Sequence, residues 1–170
     1  HPGLLDWLAV TFRDDMGGTP AYALGNKLSM SAPWFRTQLK GEAKGCVIHE
    51  LVHIIQNYWR AAATNPKPTR TPGWVTEGIP DYIRWFIYEP QGAEITKRNF
   101  ASANYDSSYR VTANFLNWVV ETRDKEFISK LNAAAREGRY SEQVWKDATG
   151  KTAAQLGEEW KQENAKRLGL

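Results

Sequence analysis

The sequence predicts an α+β fold, a small N-terminal sheet followed by a mostly helical remainder. Three observations predict it. Short runs with alternating faces, separated by turn residues, occupy the first 40 residues. One long apolar stretch follows, Gly45-Cys46-Val47-Ile48-His49-Glu50-Leu51-Val52-His53-Ile54-Ile55-Gln56. Beyond it, apolar residues recur at helical spacing between cap signals as far as Leu168. We expect one domain over residues 1–170, with a sheet region at 1–40 and a helical region carrying the functional side chains at 41–170.

Taken in order, Leu4 to Leu8 reads as the end of a helix and Ala9 to Arg13 as a strand. Asp14 to Pro20 is a loop rich in Asp and Gly. Ala21 to Leu24, Gly25-Asn26 and Lys27 to Ser31 read as one or two short strands about a turn. Pro33 and Trp34 end the sheet region. Glu42 to Ala62 is expected as the central helix, apolar nearly all round and therefore buried. Thr64 to Gly73 carries three prolines and reads as a loop. Val75 to Tyr88 is a second helix in which Pro80 argues for a late start or a kink. Pro90 to Asn104 is irregular. Asp106 or Ser107 can cap a third helix, Ser108 to Thr122, striped by Val111, Phe115, Trp118 and Val119. Lys125 to Arg136 is a fourth, ended by Gly138, and Ser141 to Ala148 a fifth. Thr152 and Gln155 form a capping box for a last helix, Ala153 to Leu168.

Composition narrows the function classes. With 42% hydrophobic and 24% charged residues the chain is an ordinary globular one, long enough to bury a core. A net charge of +3 is spread along the chain without basic clusters, which speaks against nucleic acid as partner. No apolar run approaches the ~20 residues of a membrane span. Cys46 is the single cysteine, so no intrachain disulfide forms. Its expected role is a small buried hydrophobe, with metal ligation or redox switching as alternatives. The chain starts His1-Pro2-Gly3 without Met, as expected of a mature or excised piece. Of eight tryptophans most are expected in the core, Trp34, Trp59 and Trp74 included, although these three are also candidates for selecting bulky or glycosylated substrates.

The central stretch holds an H-E-x-x-H pattern. On a helix His49 and His53 lie on one face, one turn apart, where both imidazoles reach a single metal ion. Glu50 can lean over the open coordination position as general base. Two of the chain's three histidines fall in this motif, which argues against a pair of ordinary core histidines. A catalytic zinc takes three protein ligands. No His follows His53, and position 59, where a third His would otherwise be sought, is Trp59. The third ligand is therefore a carboxylate, Cys46 or His1, and the best candidate is Glu77 in Trp74-Val75-Thr76-Glu77-Gly78, 24 residues after His53. Asp81, one turn beyond Glu77, can accept a hydrogen bond from a ligand histidine, His49 first, or be a surface carboxylate. Gln56, at i+7 from His49, can hydrogen-bond near the site or be a plain polar residue of that face. Tyr105 and Tyr109 are candidates to stabilise an oxyanion, since no histidine is left for that task. The strand Lys27 to Ser31, through Leu28, Ser29 and Met30, is expected as the sheet edge to which an extended substrate adds.

The segments AYALGNKLSMSAPWF, GCVIHELVHIIQ, GWVTEGIPDYIR, YDSSYRVTANFL and FISKLNAAAREGRYSEQVW with GKTAAQL resemble the plant and bacterial basic secretory protein family, zinc metallopeptidases of the gluzincin type. The resemblance runs from about Val10 to Trp160. It implies a zincin-like fold, one zinc ion held by His49, His53 and Glu77, and Glu50 as base. It also implies Tyr109 as the transition-state tyrosine, with Tyr105 used in packing, and an exported protein. We expect a monomeric endopeptidase whose substrate is a protein or peptide, glycosylated or not. Pro80 departs from it, standing where such helices carry Ala. The competing expectation is a zinc-bearing glycan- or protein-binding module with little turnover.

Overall fold

A computed structural model describes residues 7–89, 94–107 and 109–170. The helix end expected at Leu4 to Leu8, the chain start with His1, and the boundaries expected at Pro90 and Ser108 lie wholly or partly outside the described residues. The fold is α+β, a three-stranded sheet followed by helices. The backbone forms two compact units, the second beginning at Tyr58.

In the first unit, β1 (Ala9–Arg13), β2 (Ala21–Leu24) and β3 (Lys27–Ser31) form a sheet of order β1-β3-β2. β2 and β3 are an antiparallel hairpin closing at Leu24↔Lys27, and Gly25 supplies the positive φ of +57° that the tight turn needs. β1 pairs with β3 in parallel, Ala9 opposite Lys27 and Arg13 opposite Ser31. This overturns the expectation that Lys27 to Ser31 is a sheet edge. β3 is the central strand, hydrogen-bonded on both sides, and Leu28 and Met30 point into the core at 1% and 3% exposure. Leu28, Ser29 and Met30 therefore have no main-chain edge to offer a substrate.

The sheet ends just before Pro33 and Trp34, as expected, and these two residues stand in the first turn of a helix not read in the sequence, α1 (Ala32–Gln38). The Ser31 hydroxyl accepts the Trp34 N–H at 3.4 Å, and a proline in the first turn costs a helix nothing. α2 (Ala43–Gln56) carries the H-E-x-x-H motif. It buries Ala43, Cys46 and Ile54 against Leu28, Met30, Ala21 and Phe35. Its remaining apolar residues are less covered than expected. Val47, Ile48, Leu51 and Val52 are half-buried and Ile55 is exposed. Nor does α2 run to Ala62. It stops at Asn57, which takes a left-handed conformation (φ +50°) and returns its N–H to the His53 carbonyl. Asparagine is among the few residues that adopt this cap readily.

The second unit opens with a 3₁₀ turn (Tyr58–Arg60) and a short α3 (Ala61–Thr64). α4 (Gly73–Tyr82) starts earlier than expected, continues through Pro80 and widens into a π-helix over Ile83–Tyr88. Proline has no N–H to complete the i→i−4 ladder, and hydrogen bonding shifts register after it. The Ile83 N–H is shared between the Ile79 and Pro80 carbonyls. α5 (Lys97–Phe100) is a helix the sequence reading left as irregular; a Thr96–Asn99 capping box starts it. α6 (Tyr109–Thr122), α7 (Phe127–Arg136), α8 (Glu142–Thr149) and α9 (Ala153–Leu168) follow. The Ser107 hydroxyl, one of the two expected caps, accepts the Asn104 N–H of the preceding turn. The Thr152–Gln155 capping box of α9 forms as expected. Phe115 sits at the centre of this unit's core, its ring 5.7 Å from Trp145, 5.9 Å from Trp160 and 5.4 Å from Tyr105.

α4 lies close against α6 because Gly78 has no side chain. A Cβ there would meet Thr112 Cγ2 at 2.3 Å and Leu116 Cδ1 at 3.3 Å. Gly78→Ala is therefore expected to destabilise the protein by about 1–3 kcal/mol, read as a lower midpoint in urea unfolding. Adding Thr112→Ser, which removes the clashing methyl and keeps the hydroxyl, should restore part of the loss.

Candidate functional site

α2 carries four polar side chains, His49, Glu50, His53 and Gln56, on a helix whose other face is core. His49 and Glu50 are each only 8% exposed, and Gln56 is 2% exposed. His53 is half-buried. The one-turn spacing brings the two imidazoles edge to face, with ring centroids 4.8 Å apart at 77° and Nε2 atoms 3.1 Å apart. His53 Nδ1 lies 2.8 Å from Gln56 Oε1. An amide oxygen only accepts, so Nδ1 carries the proton and Nε2 presents its lone pair toward His49. Gln56 is thus a buried partner of His53 and not a plain polar face residue.

This donor pair fits a metal ion. Two nitrogens bound to one zinc at about 2.0–2.1 Å with a near-tetrahedral angle stand about 3.3 Å apart, close to the 3.1 Å found here. Glu50, one residue on from His49, is turned about 100° around the helix from it. A carboxylate this buried is costly unless it is paired or put to use.

The second unit holds the other expected residues. Glu77 is half-buried on α4, and Asp81, one turn later, is 4% exposed. Asp81 is therefore not a surface carboxylate. Tyr105 packs edge-on to Trp74 at 5.4 Å and closes over Gly157. Burial raises the pKa of its hydroxyl, with Asp106 and Glu142 adding to the effect. Tyr109 stands at the head of α6, 54% exposed, with φ +45°. Cys46 is buried in the core of the first unit. Trp34 is half-buried against that core, and Trp74 packs between Tyr105 and Trp145. Trp59, expected in the core, is 64% exposed with the Arg60 guanidinium 5.3 Å from its ring centre.

One cluster was not anticipated. Arg84 and Arg110 both lie over the ring of buried Trp85, at 4.2 and 3.9 Å. Arg110 lies 25 residues after Trp85 in sequence (110 − 85), and no local pattern announces the pairing.

Comparison with known families returns one whose description is a peptidase of plants and bacteria, matched over residues 8–160. The chain belongs to this family. The family description makes a peptidase the function class of this member, and the matched span includes both histidines, Glu50, Glu77 and Tyr109. Neither the curated proteins nor the solved structures gave a match. No helix among the described residues of this family member is long and apolar enough to cross a membrane.

The Gln56 contact makes a direct prediction. Long-range ¹H–¹⁵N spectra of the imidazoles should show His53 protonated at Nδ1. Gln56→Leu should abolish that tautomer preference and cost about 1–3 kcal/mol of stability, because a buried donor loses its acceptor.

Proposed function

We propose that the protein is a zinc-dependent endopeptidase in which His49, His53 and Glu77 hold one metal ion. The observation that carries this reading is the imidazole pair of α2, whose Nε2 atoms stand 3.1 Å apart on one helix; Glu77 is the third ligand that the family resemblance implies. Two imidazoles and one carboxylate are a donor set suited to catalytic zinc, with one coordination position left open. When bound, such an ion supplies Lewis acidity and makes water acidic near pH 7.

The chain's own residues do the rest. A Glu50 carboxylate oxygen takes a proton from the attacking water as the new carbon–oxygen bond forms. It then delivers that proton to the leaving amine nitrogen as the carbon–nitrogen bond breaks. Tyr109 donates a hydrogen bond from its hydroxyl to the oxygen that develops negative charge. Gln56 holds His53 in the tautomer a ligand needs, and Asp81 is the candidate to do the same for His49. With β3 central, an extended substrate is better served by β2. That strand is an edge, runs antiparallel to β3 and packs against α2.

The family resemblance adds an exported protein; the substrate is a protein or peptide, glycosylated or not, and the enzyme acts as a monomer. A second reading, a zinc-bearing glycan- or protein-binding module with little turnover, draws on the exposed Trp59.

The test is metal content by mass spectrometry together with cleavage of casein and glycopeptides. One zinc per chain is expected, with activity lost to a chelator and restored by zinc. Glu50→Gln should keep the zinc and lose about 10²–10⁴ in kcat; His53→Ala should lose the zinc. Zinc-loaded Glu50→Gln cleaving at the wild-type rate removes Glu50 from the mechanism. Zinc binding with every substrate left intact favours the second reading.

A further inference from the structure

We propose that Trp85 is a positioning residue for Tyr109, acting through Arg110; this rests on the reading of Tyr109 as the oxyanion donor. Tyr109 begins α6 with φ +45°, a conformation in which an L side chain crowds its own backbone. Such a residue persists only where its surroundings hold it. The neighbouring residue is held: the Arg110 guanidinium carbon lies 3.9 Å from the centre of the Trp85 ring, and the π-helix that carries Trp85 packs against α6.

Trp85 is itself anchored. Trp85 is 8% exposed, and its buried Nε1 has no hydrogen-bond partner among the described residues. The Arg84 guanidinium also lies over it at 4.2 Å. Arg84 is in turn tied through Nε to Glu89 at 3.3 Å, whose own N–H closes the π-helix on the Arg84 carbonyl at 2.7 Å. Two successive side chains at the head of α6 thus have different destinations. Arg110 goes onto Trp85 while Tyr109 stands out, 54% exposed. The phenol of Tyr109 and the Arg110 side chain both spring from the first turn of α6, so a cation–π contact that pins Arg110 on the ring also fixes the turn that carries the phenol.

The experiment measures kcat and KM separately on a cleaved peptide for Trp85→Leu, Arg110→Ala, Arg110→Lys and Tyr109→Phe, and the ¹⁹F spectrum of 3-fluorotyrosine placed at position 109. Arg110 is exposed, so its replacement leaves a folded protein even where Trp85→Leu does not. Arg110→Ala and Trp85→Leu are expected to lower kcat by up to about 100-fold with KM within about twofold. Arg110→Lys should recover part of this. Arg110→Ala added to Tyr109→Phe should cost nothing beyond Tyr109→Phe alone. The ¹⁹F line should shift or broaden in both Arg110→Ala and Trp85→Leu. An unchanged line with wild-type kcat in Arg110→Ala overturns the proposal, as do fully additive losses in the double variant. Should Tyr109→Phe cleave at the wild-type rate, the oxyanion reading falls, and the ¹⁹F line alone then decides whether Trp85 positions the ring.

Discussion

Everything at the candidate site depends on one constraint, two imidazole Nε2 atoms held 3.1 Å apart on a single helix. A helix can impose that separation only if it cannot roll or fray. Rolling is prevented because Ala43, Cys46 and Ile54 are locked into the core beneath the sheet. Fraying is prevented at the end that matters, where Asn57 closes the helix on the His53 carbonyl. That cap falls one residue after Gln56, so the residue that sets the His53 tautomer lies in the last turn and is still 2% exposed. An uninterrupted helix to Ala62 would have carried that region on as a rod. The left-handed residue ends it where the tautomer-setting contact is complete.

In the second unit the corresponding constraint is the approach of α4 to α6 at Gly78. The approach fixes the depth of α4, and Asp81, one turn further on, is carried into a buried position. Beyond Pro80 the ladder changes to a π register, with Glu89 bonding back to Arg84, five residues away. In a continuous α-helix Arg84 would follow Glu77 at i+7 on one face. The wider turns rotate Arg84 and Trp85 off that line, and they meet Arg110 at the head of α6. Pro80, which the sequence offers as a late start or a kink, therefore stands just before the change of register.

Much of this was legible in the residues, and the division follows sequence distance. The hairpin turn at Gly25-Asn26, the capping box at Thr152 and Gln155, and the histidine pair are decided by residues within a few positions of one another, and each appeared as read. The place of β3 was not legible. Its hairpin partner β2 is local, but its parallel partner β1 lies beyond β2 in sequence, and nothing in Lys27 to Ser31 announces a second neighbour. α1 was hidden by reading Pro33 as a terminator. Proline two residues after a serine is equally a helix start, and the deciding fact is whether the serine hydroxyl reaches the backbone. The end of α2 was missed because Asn57 is only permissive for a left-handed cap. Trp59, assigned to the core on bulk alone, lies just past that cap and is exposed.

The same distinction separates the parts of the proposed chemistry. Holding a metal and activating water draw mainly on one helical segment, His49 to His53, so the short motif that encodes them keeps its meaning wherever the helix forms. Stabilising the oxyanion has no such compact code. Seven tyrosines compete for it in the sequence, and spacing does not separate Tyr105 from Tyr109. Their surroundings do. Tyr105 is spent on Trp74, Phe115 and Gly157, whereas Tyr109 stands outward on a backbone conformation that a tyrosine does not adopt by preference. Trp85 and Arg110, from different elements, meet beside it, so the tyrosine proposed as oxyanion donor stands out by its tertiary surroundings and not by any local pattern.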